Sequence, residues 1–233
     1  MCDTCGCQLG INKDKKVLEI NESLLRANNE LAYKNRKHFD ELGIKVINLI
    51  SSPGAGKTTL LEHTAELLKG DIRFAVIEGD IETERDAERI RKKGVQAVQI
   101  TTGGACHLDA SLIHKGFHKL RDGFGKKVPS IVFIENVGNL VCPATFYLGE
   151  HIRVVMLSVP EGSDKPAKYP KAFSNADLFI ISKVDLLPYF DFSKKEATAL
   201  ATTINPSLKT VCLSAKTGEG MQDWIDFLKK LVD

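Results

Sequence analysis

The feature that most constrains this fold is a glycine-bearing loop between an apolar run and a helical stretch, VINLISSPGAGKTTLLEHTAELL, at residues 46–68. A strand, a loop and a helix in this order are the context that a phosphate-binding loop requires. Gly54 and Gly56 let backbone amides curl around phosphate oxygens, Lys57 reaches the β- and γ-phosphates, and the Thr58 hydroxyl can hold Mg²⁺. Ser51 occupies the position of the first consensus glycine. The predicted phosphate contacts are Pro53, Gly54, Ala55, Gly56, Lys57, Thr58 and Thr59.

After this loop, short β-branched runs alternate with charged helical stretches. The predicted strands are Val46–Ile50, Phe74–Ile77, Val95–Ile100, Ile131–Ile134, Val154–Val159, Leu178–Ile181 and Thr210–Leu213. The predicted helices between them include Lys57–Leu68, Thr83–Lys93, Lys194–Thr203 and Gly220–Leu231. Strands that are apolar on both faces and separated by helices favour a parallel sheet covered on both sides. We therefore predict an α/β, three-layer P-loop NTPase fold with a mostly parallel central sheet flanked by helices.

Three regions are predicted along the chain. Residues 1–13 are polar and aperiodic, which predicts a flexible N-terminal metal-binding tail. Residues 14–43 carry spaced apolar positions in a charged, proline-free stretch, as in an amphipathic helix packed on the following domain. Residues 44–233 hold all the nucleotide motifs and are predicted to form the GTPase domain.

Composition excludes some partners and bears on the role of the cysteines. The 32 basic and 30 acidic residues leave a net charge of +2, which gives no case for a nucleic-acid or membrane partner. No apolar run reaches the roughly 20 residues that a membrane span needs, and no secretory signal is seen, so a cytoplasmic location is expected. Because thiols stay reduced there, the crowding of three of the six cysteines into the first seven residues favours metal ligation over disulfides.

A guanine-binding motif follows the sixth predicted strand. In LFIISKVDLL, Lys183 and Asp185 match the NKxD pattern, with Ser182 in the place of asparagine. The Asp185 carboxylate can accept two hydrogen bonds from the ring N–H and amino group of guanine, which adenine does not offer. After the next strand, Ser214, Ala215 and Lys216 form an SAK sequence that can support the same base. The order of these motifs predicts GTP as the nucleotide.

Carboxylates for Mg²⁺ follow two strands. Glu135 ends IVFIE and is followed by Gly138 in an ExxG pattern, so Glu135 would act on Mg²⁺ and the Gly138 amide would sense the γ-phosphate. Asp80, in VIEGD, is a second candidate, and Asp86 is a third whose alternative role is an exposed helical carboxylate. Magnesium takes only one or two protein carboxylates, so direct ligation by all three is not expected. Lys57, Thr58, Asp80 and Glu135 are the predicted catalytic residues, and the absence of a placed glutamine predicts slow intrinsic hydrolysis.

Two sets of thiol and imidazole ligands are also present. Cys106 and His107 follow Gly103-Gly104, and Cys142 lies seven residues beyond Glu135. Together they suit Zn²⁺ or Ni²⁺, with either an open coordination position or further ligands from a second subunit. The alternative is that the two cysteines are small buried hydrophobes. Cys2, Cys5 and Cys7 form CxxCxC, a second predicted set for Ni²⁺ or Zn²⁺. Since Glu135, Gly138 and Cys142 share one segment, γ-phosphate binding is expected to change the metal geometry.

The motifs CDTCGC, SSPGAGKTT, EGD, GGACHLDA, ENVGNLVCP and SKVDLLP together resemble the HypB family of GTPases, which assist nickel insertion into [NiFe] hydrogenase. The resemblance covers nearly the whole chain. It implies a homodimer with the Cys/His/Cys site at the subunit interface, and as partners a HypA-type metallochaperone and the hydrogenase large subunit. It also implies that a lysine approaches the nucleotide of the partner subunit, with Lys168 as first choice and Lys165 as second.

Three other interpretations remain open. A urease-activating GTPase shares these switch loops, but that family has a Cys-Pro-His motif and here Ala144 follows Cys142-Pro143. A signalling or ribosome-associated GTPase with incidental cysteines would bind no stoichiometric metal. A passive metal buffer stabilised by GTP would show no turnover that responds to metal or partner.

Overall fold

A seven-stranded sheet, parallel throughout, organises the computed structural model, which describes residues 7–80, 84–125 and 127–232. The strands are β1 Lys45–Ser51, β2 Phe74–Asp80, β3 Gln96–Thr101, β4 Ile131–Glu135, β5 Ile152–Ser158, β6 Leu178–Ser182 and β7 Lys209–Cys212. The helices are α1 Cys7–Glu41, α2 Lys57–Leu67, α3 Arg85–Lys92, α4 Ala110–Arg121, α5 Lys165–Lys168, α6 Pro170–Ser174, α7 Lys194–Ile204 and α8 Met221–Val232, with 3₁₀ turns at Val159–Glu161 and Val184–Tyr189. The order β3-β2-β4-β1-β5-β6-β7 confirms the predicted α/β fold.

Helices cover both faces of the sheet. On one face, the apolar side chains of α2, α3 and α8 pack on the strands around Trp224, which is fully buried and donates from Nε1 to Oγ1 of Thr64 over 2.9 Å. On the other face, α1 and α4 pack against β1 to β4, and α6 and α7 pack against β1, β5 and β6. The strands buried on both sides explain the continuous apolar runs in the sequence.

Helix α1 begins at Cys7, seven residues before the predicted boundary at Asp14. The backbone from Cys7 is thus helical where the sequence predicted a tail; the stretch lacks proline, and Gly10 alone costs a helix only about 1 kcal/mol. The packed side of α1 also differs from the apolar positions that predicted it. Phe39 packs edge to face on Phe117 of α4, with ring centroids 4.8 Å apart, whereas Leu24 is 59% exposed.

Helix α4 is the principal element that the sequence prediction missed. It begins where Asp109 accepts a hydrogen bond from the backbone N–H of Leu112 over 2.7 Å, which satisfies a helix-terminal amide. Its buried side reaches across β2 and β3, and Gly116 allows the close approach there, since a Cβ would lie 2.6 Å from Cδ1 of Ile100 and force that side chain to shift. Among the described residues, no helix has both the length and the apolar character that crossing a membrane requires.

Candidate functional site

The phosphate loop lies at the carboxyl end of β1 and leads into α2, the position at which parallel sheets bind ligands. Gly54 and Gly56 have positive φ angles of 74° and 96°, a backbone conformation that a residue with a Cβ would adopt only with strain. Lys57 and Thr58 are buried, and Nζ of Lys57 donates to Oγ of Ser51 over 3.0 Å. The serine in the place of the consensus glycine thus positions the lysine ammonium group.

A carboxylate cluster lies beside this loop, at the ends of β2 and β4. Thr58 donates from Oγ1 to Oε1 of Glu135 over 2.7 Å. The strand register places Glu78 directly beside Glu135, and Asp86 of α3 completes a group whose carboxylate oxygens lie within 4.8 Å of one another. Asp86 is half-buried at the edge of the cluster, and Asp80 lines the same cavity.

Burial makes charge in this cluster costly. Burial, followed by the negative charge of Glu135 and its neighbours, raises the pKa of Glu78 to about 9. Burial also raises the pKa of Glu135, against the lowering effects of Lys57 and Thr58. Within the described part of the chain, Oε2 of Glu78 and Oε2 of Glu135 have no hydrogen-bond partner. Buried oxygens with unused lone pairs beside a phosphate loop fit a hard divalent cation such as Mg²⁺.

The sequence prediction did not include Glu78 or Arg89. The guanidinium of Arg89 bonds both oxygens of Glu62, at 3.1 and 2.6 Å, and donates to Asp86 over 2.9 Å. It also lies 3.3 Å from Oγ1 of Thr59, at the edge of the phosphate cavity. Glu78 could have been noticed in the sequence as a charged residue within an otherwise apolar strand. Arg89 lies in a helix of alternating charges, where nothing in the sequence distinguishes it.

A separate cavity of about 440 Å³ adjoins the phosphate loop, within the range of roughly 300–1,000 Å³ usual for ligand pockets. The structure brings the predicted base-binding residues together in its lining, which also includes Ser182: Lys183, Asp185, Ser214, Ala215 and Lys216. Ser182 donates from Oγ to the backbone oxygen of Ala55 over 2.7 Å and so ties β6 to the phosphate loop. Lys183 adopts a left-handed backbone, φ 59°, and its Cε approaches Gly56.

The thiol and imidazole groups of Cys106, His107 and Cys142 also meet, within a single chain. Their ligand atoms lie within 4.8 Å of one another, and Sγ of Cys106 is 3.9 Å from Nδ1 of His107. Gly103 and Gly104, with φ of 62° and 96°, provide the turn that lets adjacent residues face the same point. This geometry favours a metal site over two buried hydrophobic cysteines, since Cys106 is exposed.

The electrostatics of this trio suit a borderline metal ion. Burial lowers the pKa of His107, whose ring stacks on Phe146 with centroids 4.0 Å apart, so the ligating neutral imidazole is favoured. A hydrogen bond with Cys106 and burial raise the pKa of Cys142. Metal binding must therefore displace thiol protons.

The segment from Glu135 to Cys142 connects the two sites. Gly138 lies so close to the phosphate loop that a Cβ would be 2.8 Å from Cα of Pro53. Asn136 accepts from the backbone N–H of Leu108 over 3.3 Å, and Asn139 donates from Nδ2 to the backbone oxygen of Cys106 over 3.4 Å. Sequence reasoning missed both asparagines, because their role is to position loops.

Other predicted site residues lie elsewhere. Cys2 and Cys5 lie outside the described residues, and so does the side chain of Cys7. Lys168 is exposed on α5 and pairs with Asp164 over 2.5 Å, while Nζ of Lys165 lies 5.6 Å from the ring centroid of Tyr169. Their approach to a partner nucleotide stays a prediction.

Fold and site together define a P-loop nucleotide-binding protein. The family described as "CobW/HypB/UreG, nucleotide-binding domain" matches residues 45–212. A hydrogenase maturation factor HypB from Azotobacter chroococcum is 48% identical over 92% of this chain and 69% of its own length. Nickel-complexed HypB from Helicobacter pylori is 43% identical, covers 88% of this chain and 95% of its own, and superposes with a TM-score of 0.85. HypB from Archaeoglobus fulgidus, 40% identical over 90% of this chain and 100% of its own, gives 0.82. The chain belongs to the HypB family.

Proposed function

We propose that this chain is a GTPase that carries nickel as cargo and assists its insertion into [NiFe] hydrogenase, hydrolysing GTP to GDP and phosphate. The observation that carries the proposal is the segment Glu135–Cys142, which contacts the phosphate loop at one end and supplies a metal ligand at the other. The family membership supports it, as does the nickel complex of the Helicobacter pylori relative.

Each part of the nucleotide has a matching group. The loop amides and Lys57 bind the β- and γ-phosphates, and their positive charge stabilises the charge that develops during phosphoryl transfer. Asp185 selects guanine in the cavity beside the loop, while Ser182 keeps that cavity and the loop in register. No described glutamine lines the phosphate cavity, which supports slow intrinsic turnover that assembly or a partner accelerates.

Thr58, Glu135 and one of the neighbouring carboxylates would hold Mg²⁺. The ion would neutralise phosphate charge and orient the γ-phosphate. Thr58 donates its hydroxyl hydrogen to Glu135, which leaves the lone pairs of the same oxygen available to the ion. Glu78 and Asp80 then serve as direct ligands or as acceptors for metal-bound water.

Nickel and nucleotide would affect each other through this same segment. A γ-phosphate that draws in the Gly138 amide displaces the loop carrying Cys142, and with it one of three metal ligands. Thermodynamic linkage requires the metal to change nucleotide affinity by the same factor. Three sulfur and nitrogen ligands leave a coordination position for a transfer partner, and they accept Zn²⁺ as well as Ni²⁺.

Assembly would complete the cycle. The exposed position of Cys106 allows a second copy to share the metal, and Lys168 could then exchange Asp164 for a phosphate of the partner's nucleotide. A HypA-type metallochaperone and the hydrogenase large subunit are the proposed partners. Cys2, Cys5 and Cys7 would form the second nickel site.

Delivery to urease is a second candidate, because the Helicobacter pylori relatives, 43% identical over 93% of this chain, are described as hydrogenase/urease maturation factors. A urease-accessory GTPase proper would need Cys-Pro-His, and the third position here is a buried alanine, Ala144. Activation of apo-hydrogenase and apo-urease by the nickel-loaded protein, measured side by side, distinguishes the two.

The direct test is sizing of the full chain with and without Ni²⁺, in GDP and in a non-hydrolysable GTP analogue. We expect the dimer fraction to depend on both ligands, and nickel affinity from calorimetry to differ between nucleotide states. Equal nickel affinity and stoichiometry in both states would remove the coupling, and absence of stoichiometric metal would favour a signalling GTPase.

A further inference from the structure

Three of the six histidines in the chain meet outside both sites described above, where α1 lies against α4. The ring of His118 lies 4.6 Å from that of His114 and 5.6 Å from that of His38, measured between centroids. All three side chains are partly exposed. Imidazoles clustered at a surface, with no described carboxylate hydrogen-bonded to them, need an explanation other than core packing.

The spacing on α4 is that of a chelating pair. In HKGFH, His114 and His118 are four residues apart, so they lie one helical turn apart on the same face. This is the separation at which two helix-borne histidines bind one zinc ion in metalloproteases. His38 projects from the neighbouring helix towards the same face and packs edge to face on Phe117 at 5.3 Å.

Hydrogen bonds orient His114 as a metal ligand. Asn35 is buried and donates from Nδ2 to the backbone oxygens of Ala110, over 2.8 Å, and Leu148, over 3.3 Å. Its Oδ1 is thereby fixed 3.0 Å from Nδ1 of His114 and must accept from that nitrogen. The lone pair of His114 is therefore on Nε2, and an amide oxygen behind a ligating imidazole is the usual supporting arrangement.

The same reasoning applies to His38. NH1 of Arg121 lies 3.2 Å from Nε2 of His38, and because a guanidinium can only donate, this nitrogen carries a lone pair. Burial, then the charge of Arg121, lowers the pKa of His38, and burial, then His118, lowers that of His114. The neutral imidazoles that metal ions require are thus favoured near neutral pH.

We propose that His38, His114 and His118 bind a late first-row divalent transition ion, of the Ni²⁺ and Zn²⁺ class, at the surface between α1 and α4. The rings meet edge to face at 74° and tilted at 43°, and side-chain rotation is needed to bring one nitrogen of each ring to a shared ion. Arg121 must swing away from His38 for all three to bind. The bound ion cross-links α1 to the sheet-bearing domain and stabilises their contact.

The test uses the full chain with Cys2, Cys5, Cys7, Cys106 and Cys142 replaced by serine, so that thiol sites are absent. Excess Mg²⁺ and GDP occupy the carboxylate cluster, and Ni²⁺ is titrated by calorimetry. We expect one equivalent to bind and to raise the melting temperature. His118→Gln should weaken binding by roughly 10-fold or more, since even a supporting partner of a ligand is worth about 10–100-fold.

Two further variants separate ligation from general surface effects. Arg121→Gln should tighten nickel binding, because it removes the cation that competes for His38. Lys119→Gln is the control: it removes an equal charge from the same helix and should leave nickel affinity unchanged. Affinity unaffected by His118→Gln, or an equal response to both charge removals, overturns the proposal. If the serine variant does not fold, the wild-type chain is first loaded with one equivalent of Zn²⁺ per thiol site, without excess, and is then titrated with Ni²⁺. If Ni²⁺ then broadens the imidazole NMR signals of His38, His114 and His118 more than those of the other histidines, the site is supported. Equal broadening of all histidine signals contradicts it.

Discussion

The backbone amide of Leu108 lies 3.3 Å from Oδ1 of Asn136, although 28 positions separate the two residues. Leu108 directly follows His107, and Asn136 directly follows Glu135. The bond thus connects the loop of the Cys/His/Cys site to the strand that ends in the carboxylate cluster. Asn136 is 1% exposed and also donates to Asn48 of β1 over 3.2 Å, so its side chain is held from both sides.

Asn136→Ala is expected to weaken the coupling between nickel and nucleotide. The change leaves the Leu108 amide unpaired in a buried position, at a cost of about 1–3 kcal/mol in stability, and frees the loop of Cys106 and His107 from β4. Couplings of this kind are typically about 5–150-fold in affinity. The ratio of nickel affinities in the GTP-analogue and GDP states, measured by calorimetry, should fall towards one. The exposed Asn175→Ala is the control, and an unchanged ratio in the Asn136 variant would contradict the connection.

Asp185→Asn should change base preference from guanine to xanthine. Hydrogen bonds to a charged group are worth about 1.5–3 kcal/mol, so GTP binding should weaken by about 10- to 100-fold. Xanthine presents a carbonyl where guanine has an amino group, and the asparagine amide can donate to it. Competition binding with GTP and xanthosine triphosphate measures the change. Asp191→Asn, exposed and outside the base cavity, should leave the preference unaltered, and guanine preference retained by both variants would refute the assignment.

The sequence predicted all seven strands to within three residues at either end, because most of them are apolar runs buried on both faces. It also predicted the phosphate loop and the base motif, whose residue types have few alternative uses. Helix α4 was missed, because the glycines before it suggested a loop and its own Gly116 interrupts the helical pattern. A Cβ at that glycine would crowd the side chain of Ile100, and local propensity does not reveal such a tertiary contact.

Glu78 was missed because strand register is a tertiary property. The sequence places Asp80 at a strand end, but only the pairing of β2 with β4 puts Glu78 opposite Glu135. Cys106, His107 and Cys142 were predicted as a group from their chemistry, and the structure brings them together within one chain, while their binding of a metal stays a prediction. Asn136 and Asn139 act through hydrogen bonds to distant backbone groups, which leave no mark in the sequence.

Cys142→Ser should abolish tight nickel binding at the trio, while Cys212→Ser should not. A serine oxygen is a poorer ligand for Ni²⁺ than a thiolate, and loss of a ligand should cost more than the roughly 10–100-fold that a supporting residue contributes. Cys212 lies at the end of β7 and packs against the core, so it serves as the matched thiol control. Titration of both variants in a Cys2/Cys5/Cys7-to-Ser background isolates the site. Equal affinity in the two variants would exclude Cys142 as a ligand.

Glu78→Gln should flatten the pH dependence of stability in the protein free of Mg²⁺ and nucleotide. The unfolded chain loses the Glu78 proton near about pH 4.3, whereas burial raises the pKa of Glu78 in the folded protein to about 9. Folding therefore takes up a proton between these values, so the free energy of unfolding falls as pH rises, by at most about 1.4 kcal/mol per unit for this one group. Glutamine mimics the neutral acid and removes this contribution, while Glu135 remains in both proteins. Urea unfolding from about pH 5 to pH 9 should show that the free energy of unfolding changes less with pH in Glu78→Gln than in wild type. The exposed Glu88→Gln is the control. Equal pH dependence in Glu78→Gln and wild type would mean that Glu78 is ionised in the folded protein.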